Sequence, residues 1–197
     1  MGLRERKKQE TREALSWAAV RLAVERGLDN VLVEDIAAEV GVSPRTFNNY
    51  FSSKAEAISA RHLDRARRIA VVLRDRPADE PLWDAISHAA VSPYEGENTV
   101  PDPEWTAGVR LMTSEPALIG EFLKASAIAD REFAAVIAER TGTDAERDLY
   151  PRLVATAAGA AIQVAMEQWL RSAPPVPIES LIRDALRQVA SGLPVPD

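Results

Sequence analysis

Arg45, Thr46, Asn48, Asn49 and Tyr50 fall within six consecutive residues, and Lys54 follows one helical turn later. These side chains suit recognition of a polyanion better than bond-making chemistry. Arginine can bond both major-groove acceptors of guanine, and asparagine can pair with adenine. Threonine, tyrosine and lysine commonly hold phosphate oxygens, which orients a protein on a duplex without reading its sequence. From spacing alone, a polar helix face turned to water accounts for the same residues equally well.

The elements that must position them read as two short helices joined by a tight turn. Helical patterns cover Val33–Val40 and Pro44–Tyr50, with "GVS" between them. Gly41 can adopt the left-handed conformation that ends the first helix. Ser43 can cap the second, and Pro44 suits its first position, where a missing N–H costs nothing. Ile36, Ala37, Val40, Val42, Phe47 and Phe51 supply apolar faces to seat the pair on a preceding helix. Such an arrangement is a helix-turn-helix, whose second helix enters the major groove.

"VEDIAAEVGVSPRTFNNYFSSKAEAI", Val33 to Ile58, resembles the DNA-binding segment of TetR-family transcriptional regulators (the TetR/AcrR group). Ile36, Ala37, Gly41, Val42, Ser43, Thr46, Phe47, Tyr50, Phe51 and Lys54 carry the likeness. The resemblance implies a three-helix DNA-binding domain, a larger helical domain for dimerisation and ligand binding, and control of operator affinity by a small molecule. Three positions depart from the family pattern. Leu32 stands where a capping threonine is common, Asn48 where a backbone-gripping tyrosine is common, and Arg45 where glycine is commoner. The departures make Arg45 and Asn48 candidate base readers. Thr11 and Arg12 on the first helix are candidate phosphate ligands, and Lys54 is placed near the groove wall. Arg4, Arg6, Lys7 and Lys8 form either a flexible electrostatic arm or a solubilising tail.

The remaining chain reads as all-α, about nine helices in all. Helical patterns cover 4–26, 54–76, 81–91, 104–113, 116–140, 146–171 and 178–191, with loops at Ser92–Pro103 and in "SAPPVP". We expect a DNA-binding domain over residues 1–60 and a ligand-binding and dimerisation domain over 61–197. Net charge divides along the chain: residues 1–76 hold 15 Lys and Arg against 11 Asp and Glu, a net of +4. Residues 77–197 hold 9 against 19, a net of −10. A basic end on an acidic protein is a hint of a nucleic-acid-facing surface.

Other classes find little support. The chain has no cysteine and two distant histidines, His62 and His88, so metal and thiolate chemistry are not expected, and no cofactor is implied. No GxSxG, SxxK, HExxH, P-loop or GxGxxG motif occurs, and an enzyme is not expected. The longest mostly apolar run, Leu153–Met166, is interrupted by Thr156 and Gln163 and is shorter than the roughly 20 residues a membrane span requires, and the charged N-terminus lacks a signal's apolar stretch. A cytoplasmic protein is expected. The competing reading is a helical module that uses its helix-turn-helix on a protein partner.

In the acidic half, "RLMTSEPAL", "AERTG" and "AMEQWL" are similar to the C-terminal domain of a family branch related to mycofactocin-system regulators. That likeness implies an acyl-CoA-like effector. Trp83, Ile86, Trp105, Val109, Met112, Phe122, Met166 and Trp169 are candidate pocket residues, although the same side chains also build plain cores. Arg110 either meets an acidic ligand group or pairs with Glu104 or Glu115. Arg152–Leu170 is apolar on nearly all sides, which predicts burial on more than one face. Its small residues Ala155, Ala158, Gly159 and Ala161 let another helix approach. With Ile178, Leu181, Ile182, Ala185, Leu186 and Val189, this segment is expected to form a four-helix homodimer interface, or else to serve the monomer core.

Overall fold

The computed structural model describes residues 2–94, 103–172 and 176–195. Among these the secondary structure is helical throughout. In chain order the helices are α1 (Leu3–Arg26), α2 (Val33–Val40), α3 (Pro44–Asn48), α4 (Lys54–Asp75), α5 (Leu82–Val91), α6 (Pro103–Ser114), α7 (Pro116–Thr141), α8 (Leu149–Arg171) and α9 (Ile178–Ala190). Short 3₁₀ turns occupy Leu28–Asn30 and Ser92–Tyr94. The central parts of the two expected loops, residues 95–102 and 173–175, lie outside the described residues.

The chain forms two compact units, one of Met1–Leu63 with Asp102–Ala125 and one of Asp64–Pro101 with Ser126–Asp197. In the first, α1 buries Leu15, Ala19, Leu22 and Ala23, one stripe at helical spacing, while α2 buries Ile36 and Ala37. Phe47, Phe51, Ala57 and Ile58 are also buried. Burial of such side chains stabilises the fold by about 1.5–3 kcal/mol for each large one. The buried Ser16 hydroxyl donates to the Ala57 carbonyl at 2.5 Å, joining α1 to α4. Arg21 pairs with Glu39, and Arg26 lies 3.9 Å from Asp35, so two ion pairs also link α1 to α2.

In the second unit, α5 buries Ala85, Ile86, Ala89 and Ala90, and α9 buries Ile178, Ile182 and Leu186 at four-residue steps. Helix α9 packs on both α8 and α5. The C-terminal half of α4 is joined to α7 by two paired forks one heptad apart. Arg67 bonds Glu132 at 2.7 and 2.9 Å, and Arg74 bonds Glu139 at 2.8 and 3.2 Å. Arg140 donates to the carbonyls of Arg76 and Pro77 at 2.9 and 2.8 Å, satisfying acceptors at the end of α4.

One reading and one boundary differ from expectation for local reasons. The basic residues Arg4, Arg6, Lys7 and Lys8 ride on the first turns of α1 and are not a flexible arm. Arg, Glu, Lys and Gln are good helix formers, and Arg6 sits 3.7 Å from Glu10 one turn on. Helix α8 begins at Leu149, three residues later than the pattern predicts. The Asp144 carboxylate accepts from the backbone N–H groups of Glu146 and Arg147 at 2.8 and 3.2 Å, holding that stretch as a turn.

Candidate nucleic-acid interface

Local chemistry forms the α2–α3 corner as the residues predict. Gly41 takes φ 73° and ψ 30°, the left-handed conformation. Its N–H donates to Ala38 at 3.0 Å, and that of Val42 to Ala37 at 2.9 Å, the paired bonds that close a helix on a glycine. Ser43 then caps α3: its Oγ accepts from the Thr46 N–H at 3.1 Å and lies 2.9 Å from the Thr46 hydroxyl. Pro44 fills the first helical position. At the start of α2, Leu32 offers no side-chain oxygen. The Asp35 carboxylate instead accepts the Leu32 N–H at 2.9 Å, so only one half of a capping box forms.

Helix α3 ends at Asn48, and Asn49 and Tyr50 complete a tight turn through bonds to Thr46 and Phe47 at 3.1 and 2.8 Å. Phe47 is fully buried and Phe51 nearly so, with ring centroids 5.7 Å apart. They pin the inner side of the helix and leave Arg45, Asn48 and Asn49 exposed, with Thr46 and Tyr50 half-buried. Four of the five expected recognition side chains therefore lie on or beside one short helix, and Tyr50 lies just past it.

The remaining expected contacts are placed less uniformly. The Arg12 guanidinium lies 5.1 Å from the Phe51 ring centroid, a cation–π contact that brings α1 to the α3 end of the corner. The Thr11 hydroxyl donates to the Lys7 carbonyl at 2.9 Å and keeps its lone pairs for another donor. Lys54, half-buried, turns inward: its Nζ donates to the carbonyls of Leu28 and Val31 at 2.6 and 2.9 Å. No sequence spacing signals that contact, since the partners lie 26 and 23 residues back.

The candidate effector residues fall in both units. In the first, Val109 and Met112 are buried, Arg110 is exposed, and Phe122 is half-buried with its ring 4.5 Å from that of His62. Trp105 belongs to α6, and its side chain is outside those described. In the second, Ile86, Met166 and Trp169 are buried and Trp83 half-buried. Asp130 on α7, also in this unit, is pushed above the ordinary aspartate range by burial, against a long 3.5 Å bond from Thr156.

Helix α8 differs from its sequence reading. Ala155, Ala158 and Ala161 are buried within this single chain, as are Ile178, Ile182 and Leu186 of α9. The small residues therefore serve intrachain packing, with only Gly159 of that set exposed. Among the described residues, only one face of α8 is covered. The opposite face presents Leu149, Leu153 and Val164, 77%, 62% and 60% exposed, together with exposed Ala160. The apolar residues all round the helix are thus divided between an inner and an outer face. Among the described residues, no helix is long and apolar enough to cross a membrane.

Comparison with known proteins agrees with this geometry. The family model for bacterial regulatory proteins of the tetR family matches residues 17–60. The model for the MftR C-terminal domain matches residues 80–194. The HTH-type transcriptional regulator TcmR of Streptomyces glaucescens is 34% identical, aligned over 85% of this chain and 76% of its own. The crystal structure of NalD, the secondary repressor of the MexAB-OprM multidrug efflux pump in Pseudomonas aeruginosa, shares the fold. Its TM-score is 0.60 at 17% identity, covering 94% of this chain and 96% of NalD. SmeT, the repressor of the Stenotrophomonas maltophilia efflux pump SmeDEF, also scores 0.60 at 14% identity, over 96% and 98% of the two chains.

Proposed function

The chain belongs to the TetR family of bacterial regulatory proteins and is a DNA-binding transcriptional regulator, and from that premise we propose that it is a homodimeric repressor released by a small effector. The observation that carries the DNA half of this reading is α3 itself. A capped helix anchored by Phe47 presents Arg45, Asn48 and Asn49 outward. Arg45 and Asn48 read base edges, with Asn49 beside them. Thr46, Tyr50, Thr11 and Arg12 hold the backbone. Residues 1–60 are the DNA-binding domain, and 61–197 carry dimerisation and effector binding. The protein acts in the cytoplasm, where its operator is.

Dimerisation supplies two recognition helices for half-sites about 34–36 Å apart on a pseudo-palindrome. The outer face of α8, with α9 beside it, supports this assignment because a contiguous apolar surface of that kind marks an interaction site. The effector is acyl-CoA-like. Aromatic and Met side chains suit an apolar chain, and exposed Arg110 suits an acidic group. A ligand that binds one arrangement of the dimer better than another shifts operator affinity by that difference.

Selection from random duplexes, followed by binding across a salt series with and without a long-chain acyl-CoA, tests the reading. A selected pseudo-palindrome bound less tightly as salt rises is expected, with release on adding the acyl-CoA. Recovery of no preferred sequence would overturn the DNA assignment, and binding indifferent to the acyl-CoA would overturn the effector class.

A further inference from the structure

We propose that Lys54 is a positioning residue of the DNA-binding unit: its ammonium fixes the turn between α1 and α2, and with it the seat of the α2–α3 corner, without neutralising a phosphate. The operator arm of this inference rests on the reading above.

Lys54 is the first residue of α4, where the positive end of the helix dipole disfavours a cation. Helix capping does not require it there. Ser53 Oγ already accepts from the Glu56 N–H at 3.0 Å, and the Glu56 carboxylate accepts the Ser52 N–H at 2.7 Å and its hydroxyl at 2.6 Å. What the ammonium does reach is backbone. Its bonds to the Leu28 and Val31 carbonyls bracket the 3₁₀ turn, whose own closing bond, Val31 N–H to Leu28, is a long 3.3 Å.

Leu28 and Val31 are both buried, so their carbonyls need donors from the protein. Charge-assisted bonds from an ammonium are the strong kind. Val31 immediately precedes Leu32, the residue that opens α2. A two-point attachment there sets where α2 begins, and α2 carries α3. Two of the three ammonium protons are therefore committed to the fold.

The test uses the chain's four lysines, Lys7, Lys8, Lys54 and Lys124. Limited acetylation of wild-type protein, read by mass spectrometry, should modify Lys54 at least about tenfold more slowly than Lys124, because two charge-assisted bonds must open first. Lys124 is the comparison because its side chain is 71% exposed. Saturating operator should leave the Lys54 rate unchanged. Equal rates in the free protein, or strong protection of Lys54 by operator, would overturn the proposal.

The variants Lys54→Met and Lys54→Arg then separate the two roles in DNA binding. We expect affinity to fall about tenfold or more at every salt concentration, and arginine not to rescue, because its planar fork cannot replace a point donor between two carbonyls. The slope of log affinity against log salt should stay at the wild-type value. A slope shallower by about 2, one phosphate lost per protomer, would make Lys54 a phosphate ligand. Should the variants not fold, or the wild type bind no operator, the acetylation rates in the free protein still decide the clamp.

Discussion

Helices α3 and α8 each leave one side of themselves uncovered, and the two uncovered sides are chemically opposite. On α3 it carries Arg45, Asn48 and Asn49, while Phe47 is buried behind them. On α8 it carries Leu149, Leu153, Ala160 and Val164. A polar side in water costs little while it waits, so it suits a partner that comes and goes. An apolar side favours permanent cover, since burying it gains about 25 cal/mol for each Å² removed from water. The contrast fits the proposed roles, reversible binding for one helix and lasting assembly for the other.

The sharpest way to break that contrast is to make the two sides alike. Replacing Leu153 and Val164 together by Glu should leave a folded monomer by sedimentation. Operator affinity should drop by about 100-fold or more, because the second half-site is no longer engaged in the same complex. A dimer that survives both charges would place the interface elsewhere.

A smaller effect is expected on α3. Arg45→Ala should cost about 1–3 kcal/mol on the selected operator and flatten preference at one base position in each half-site. The thermal midpoint should hardly move, because Arg45 is exposed. A uniform loss across all sequences would make Arg45 a backbone contact.

The smallest effect concerns neither side and tests how much a part-buried polar cluster matters to stability. Glu80 is lowered to about 2, chiefly by its hydrogen bonds from Arg76 at 2.6 and 2.7 Å and further by His88 at 2.7 Å. A depressed carboxyl contributes stability above the ordinary glutamate range and loses it as pH falls toward the folded value. Acid unfolding of the wild type should therefore steepen between about pH 4.5 and 2. Glu80→Gln should be less stable than the wild type at pH 7 and show a shallower acid limb, the difference closing as pH falls through that window.

Much of the DNA-binding corner was legible in the sequence because its causes are local. Gly41, Ser43 and Pro44 act within four residues of themselves, so their types announce their roles. Ends of helices were less legible: Asp144 reshaped the start of α8 through two short bonds that composition does not reveal. Least legible were long-range polar contacts. Lys54 reaches back 23 and 26 residues, and the Arg67–Glu132 and Arg74–Glu139 forks each span 65. Periodicity told us that α8 was apolar all round, but not which apolar residues the chain would cover itself.

Gly108 shows how little slack the first unit keeps. A methyl group placed on its Cα would lie 2.8 Å from Val20 Cγ1, so α6 meets α1 with no room there for one more methyl group. A coupling with an air gap must first close it before the far part moves. Where Gly108 meets Val20 no such gap exists, so α6 has no room to shift toward α1 without displacing it.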